Sequence, residues 1–114
     1  VAQAITNTGG KAIALAVDVG KEDQLEKMVN TTVGEFGRLD VLYNNALFVS
    51  TEFAMRDMDI LKFDPEVFYA NIQVNVVGSV IATKLAVPHM LERGNGSVAS
   101  GGVIAYSQST TRGD

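Results

Sequence analysis

Cysteine and tryptophan are absent from the 114 residues, proline occurs twice and histidine once. Without cysteine there can be no disulfide, no thiolate chemistry and no cysteine-based metal site. Positive charge is not in surplus either: Lys+Arg 9 against Asp+Glu 13 leaves a net charge of −4. Polyanions are gripped by clustered Lys and Arg, and here the basic residues are scattered singly, so no nucleic-acid partner is expected. No continuous apolar run approaches the roughly 20 residues of a spanning helix. No charged-then-apolar leader opens the sequence. The expectation is a soluble, cytoplasmic protein without membrane contact. What remains is ordinary globular material, 46% hydrophobic with 11 glycines, enough for one small domain over residues 1–114.

Short apolar runs alternate with helical patterns along the chain. Val1, Ala2 and Ile5 before Gly9-Gly10 resemble the tail of a helix with a glycine cap. Ala12 to Val17 is a continuous apolar run ending at Asp18, suited to a parallel strand covered on both faces. Beyond Gly20, Glu22 and Asp23 favour a helix N-terminus. Leu25, Met28, Val29, Val33 and Phe36 share one face of that helix, which should end near Phe36-Gly37.

Leu39 and Val41 to Tyr43 form a second strand, stopped by Asn44-Asn45. Residues 47–63 lack a clean period and read as a long loop with one helical turn. Asp64-Pro65-Glu66 starts a helix: the carboxylate accepts free amides, and proline at the first position needs no partner. The helical pattern continues to Arg93 through Phe68, Ile72, Val76, Ile81, Leu85 and Met90, with Pro88 expected to bend it. A last strand is expected at Val103 to Tyr106. Strands separated by such helices imply right-handed crossovers and a parallel sheet in an α/β fold.

Several stretches together resemble the short-chain dehydrogenase/reductase family. They are Phe36-Gly-Arg-Leu-Asp-Val-Leu-Tyr-Asn-Asn-Ala46, Gly9 through Val19, Asn75-Val-Val-Gly78 and Pro88-His-Met90. The resemblance covers nearly the whole chain. It implies NAD or NADP as cofactor, a small carbonyl or secondary alcohol as substrate, and a homo-oligomer. The implied fold is a partial Rossmann-like three-layer fold with a parallel sheet holding family strands 3, 4 and 5.

The resemblance also implies site roles. Asp18 would bond the adenine amino group, helped by the backbone of Val19; the residues alone favour a strand-ending Asp that caps the next helix. Asn44, Asn45 and Ala46 match the family's Asn-Asn-Ala-Gly turn beside the adenine ribose, or else satisfy loop backbone. Leu47 stands where that turn ends in glycine. Asn75 matches the helix asparagine that holds a water in a proton relay. Its rival from the residues alone is Asn71, one turn earlier. A helical Asn costs propensity and perturbs the backbone, exposing a carbonyl such a water could use.

Two family features have no match. No glycine-rich loop follows a first strand, and no Tyr-x-x-x-Lys completes the acid/base pair. A tyrosine of pKa about 10 is a poor base at neutral pH without a cation beside it. Two registers compete at the C-terminal end. Either Tyr106 opens a catalytic motif in which Thr110 replaces the lysine, or Val103 to Tyr106 is the fifth family strand and Ser109 takes the catalytic serine position. The second is preferred, because a strand must precede that serine.

In the family order 3-2-1-4-5, strands 2 and 1 would lie between the Leu15 and Leu42 strands. A core fragment of a longer oxidoreductase, inactive as this chain alone, is therefore expected. The alternative is a non-catalytic remnant acting as an oligomeric scaffold or nucleotide-binding module. His89 has no partners at metal-ligand spacing, so no metal is expected.

Overall fold

The computed structural model describes residues 1–48 and 59–92, and the backbone of 103–106. Helix α1 (Ala2–Asn7) leads to Gly9, whose φ of 87° is the left-handed turn foreseen after it. Helix α2 (Glu22–Phe36) carries Glu22 and Asp23 in its first turn and ends on Gly37 at φ 72°. Its boundary falls where the glycine stops the apolar period. Leu25 and Val29 are buried, while Phe36 at the edge of the same face is partly exposed. The Lys11 ammonium sits 4.9 Å from the Phe36 ring centroid and donates to the Glu35 carbonyl in the last turn of α2.

Strand β1 (Val41–Asn44) is followed by a 3₁₀ turn, Ile60–Lys62, in which Asp59 accepts from the Leu61 amide at 3.0 Å. The expected start of the long helix is realised. Asp64 accepts from the Glu66 amide at 3.0 Å, and Pro65 opens α3 (Pro65–Ile72). Helix α4 (Ser79–Glu92) includes Pro88. Between the two lies a π-helical turn, Gln73–Gly78, so regular α geometry is broken around Asn75. Helix α4 packs on α2 and touches β1. The buried apolar side chains are Leu25, Val29, Val67, Ala82, Ala86 and Met90.

The expected three-stranded sheet is not formed. The described sheet has two strands, β1 and β2 (Val103–Tyr106), paired in parallel with Val41 opposite Val103 and Asn44 opposite Tyr106. Residues 12–17, expected as family strand 3, take up no ladder and run as an irregular segment beside α2. The partial Rossmann-like three-layer fold over strands 3, 4 and 5 is thereby corrected. An apolar run becomes a strand only when a neighbouring backbone bonds to it. No described strand lies beside this one. Ile13 and Leu15 are accordingly exposed instead of covered.

The long helix expected from Asp64-Pro65 to Arg93 is realised as the continuous helix Pro65–Glu92. It runs 28 residues, and its most apolar 18-residue window has a mean hydropathy of 1.4, long and apolar enough by length and composition to cross a membrane. No unbroken apolar run revealed this, because Asn71, Gln73, Asn75 and Lys84 interrupt it. Val67, Ala82, Ala86 and Met90 of this helix are buried, while 22% of its apolar window as a whole is covered.

Candidate active site

The C-terminal end of β1, the turn after residue 17 and the π turn converge on one cavity of about 140 Å³. Val19, Asn44, Asn45, Ala46, Val74 and Gly78 are among its lining residues. Four of the seven site residues expected from sequence are thus brought together. Tyr43 and Asn44 reach the cavity because β1 is held by parallel pairing to β2 on one side and by contact with α4. The Asn44 amide nitrogen lies 3.5 Å from the Thr83 hydroxyl of α4, a long bond at best.

Asp18 sits beside the cavity, not in its lining. Its Oδ1 accepts from the Gly20 amide at 2.9 Å, and its own amide donates to Gln24 Oε1 at 2.8 Å. The Asp18 carbonyl accepts from Lys21 N at 3.0 Å. The carboxylate therefore closes an Asx-type turn instead of capping α2, whose cap position is Lys21. Lys21 Nζ is 3.9 Å from Oδ2, a solvent-exposed and weak pair. The Asp18 side chain as a whole is 52% exposed.

Asn75 lies inside the π turn and its Oδ1 accepts from the Phe48 amide at 2.7 Å. That bond ties the helix to the chain two residues beyond Ala46. Asn71, the rival, donates back to the Val67 carbonyl at 2.9 Å, and its Oδ1 lies 3.4 Å from Asn75 Nδ2. It supports Asn75 from the preceding turn. The Asn75 carbonyl is 3.4 Å from the Ser79 hydroxyl. Local backbone perturbation at this asparagine was legible; its form, a widened turn, was not.

Tyr106 ends β2, as the preferred register requires, while Ser109 and Thr110 lie outside the described residues. Leu47, in the place of a glycine, is exposed. Among the described residues no group of three or more His, Asp or Glu could hold a metal ion. Sequence reasoning missed Gln73, whose Nε2 donates to the Gly20 carbonyl at 3.2 Å. It also missed the packing role of Gly78. A glycine inside a helix costs about 1 kcal/mol against alanine, and that cost was the available signal of a close contact.

The site joins an asparagine pair at a strand end, a proximal Asx turn and a widened helical turn. The family model for short chain dehydrogenase matches residues 1–109, and the chain belongs to that family. It is similar to glucose 1-dehydrogenase 2 of Bacillus subtilis, 34% identical over 77% of this chain and 32% of that protein. It is also similar to a 3-oxoacyl-acyl-carrier-protein reductase of Synechocystis, 35% identical over 86% of this chain and 37% of that one. A short-chain type dehydrogenase/reductase from Mycobacterium marinum superposes with a TM-score of 0.75 at 30% identity, over 92% of this chain and 38% of that structure. The chain spans about a third of the length of the curated relatives it matches.

Proposed function

We propose that the protein provides the adenosine side and the relay asparagine of an NAD(P)-dependent oxidoreductase acting on a small carbonyl or secondary alcohol. The observation that carries this is the single cavity shared by Val19, Asn44, Asn45 and Ala46, with Asn75 bonded to the chain just beyond it. The donor set fits an adenosine end. The exposed carboxylate of Asp18 suits an exocyclic amine, and Val19 and Ala46 offer small apolar surface. The set does not extend to a pyrophosphate. Among the described residues the positive-φ glycines, Gly9 and Gly37, stand after helices and not between a strand and a helix.

The bound nicotinamide supplies or accepts the hydride in such chemistry. Asn75, in this reading, fixes a relay water through the widened turn, and Ser109 orients the substrate oxygen. None of the three tyrosines has a lysine four residues on, since Leu47, Gln73 and Thr110 occupy those positions. The 114-residue chain alone therefore turns over no NAD(P)H.

We further propose a homo-oligomer in the cytoplasm. Tyr69, Ile72, Val76 and Val80 are all exposed and recur at helical spacing along α3, the π turn and α4. Ile81 and Leu85 of the same helix are half-buried. Titration with NAD tests the main reading: the protein binds it, and Asp18→Ala weakens binding about tenfold, the low end for a charged hydrogen bond. Equal affinity of both proteins removes Asp18 from the site, and no binding by either refutes the proposal.

A further inference from the structure

We propose that Gln73 and Gly78, the first and last residues of the π turn, are positioning residues that seat the Asp18–Gly20 turn for the nucleotide. This rests on the proposed function above. Three consecutive residues of that turn are engaged. Asp18 Oδ1 closes on the Gly20 amide at 2.9 Å, and the Gly20 carbonyl accepts from Gln73 Nε2 at 3.2 Å. Between them, the Val19 carbonyl lies so close to Gly78 that any Cβ there would overlap it. Gly20 itself rests on the same segment, where an added Cβ would meet Gln73 Cγ at 3.7 Å and Val74 Cγ2 at 3.8 Å.

The widened turn explains why one helical segment can hold both ends. In an α-helix, residues five apart point about 140° away from each other around the axis. A π turn brings residues i and i+5 toward one face. Gln73 and Gly78 are such a pair: the Gln73 carbonyl would lie 3.5 Å from a Cβ at 78. The same turn carries Asn75, whose Oδ1 holds the Phe48 amide on another side. One irregular turn thus sets both the adenosine-facing turn and the segment following Ala46.

The test is amide hydrogen exchange at Val19, Gly20 and Lys21, together with affinity for 5′-AMP, in the unaltered protein, Gln73→Leu, Gln73→Lys and Gly78→Ala. Gln73 is exposed, so Gln73→Leu removes the donor without opening the core. Loss of one such bond speeds exchange in the turn about three- to tenfold and weakens AMP binding by a similar factor, while Phe48 exchange stays unchanged. Gln73→Lys keeps a donor and restores both values. Gly78→Ala pushes the Val19 carbonyl away and weakens AMP binding further; if it does not fold, Gln73→Leu still decides. Turn exchange and AMP affinity unchanged in Gln73→Leu overturn this inference alone. Absence of AMP binding by the unaltered protein overturns the proposed function and the nucleotide role with it.

Discussion

Asn75→Ala isolates the contribution of the widened turn. The native side chain accepts from the Phe48 amide at 2.7 Å, with Phe48 half-buried. Removing the acceptor costs about 1 kcal/mol, near the low end for a buried donor because water can approach this one. Alanine recovers about 0.5 kcal/mol of helix propensity, so global stability falls by only about 0.5 kcal/mol. The local effect is larger. Exchange of the Phe48 amide accelerates by about fivefold, following the full lost bond and not the net stability change. Asn75→Asp retains an acceptor oxygen at the same place and leaves Phe48 protected. Amide exchange read by NMR separates the two variants. Equal protection of Phe48 in Asn75→Ala and the native protein would refute the reasoning that this asparagine ties the helix to the chain after Ala46.

Other perturbations have different signatures. Leu25, 1% exposed in a core of few side chains, should cost about 2–5 kcal/mol as Leu25→Ala; an unchanged urea midpoint would contradict the packing of α2 on α4. Asp64→Ala removes the cap on Glu66 and lowers stability by about 1 kcal/mol, whereas Asp64→Ser keeps it, as thermal midpoints will show. Val76→Glu and Val80→Glu place charge on the exposed apolar face. Sedimentation of both should shift toward the monomer, and an unshifted mass places the interface elsewhere.

What the sequence disclosed was local. The start at Asp64-Pro65 and the end at Gly37 depend on a carboxylate, a missing amide and a positive φ, each set by neighbours in the chain. The stop of β1 at Asn44 and the irregularity at Asn75 were legible for the same reason. Residues 12–17 were not, because their apolar character states a preference for burial and not the presence of a hydrogen-bonding neighbour. Asp18 shows the same boundary. Its position after an apolar run suggested a cap and the family resemblance an adenine contact, whereas the structure shows closure of a turn on Gly20. Gln73 meets that turn across 53 residues of sequence, a contact that no local pattern encodes.

The most direct test of the central claim is an amide-resolved NMR titration with NAD. The account predicts saturable shifts concentrated at Asp18, Val19 and Gly20 and at Asn44, Asn45 and Ala46, the residues in and beside one cavity. Saturable shifts confined to other segments, or none up to millimolar NAD, would contradict it.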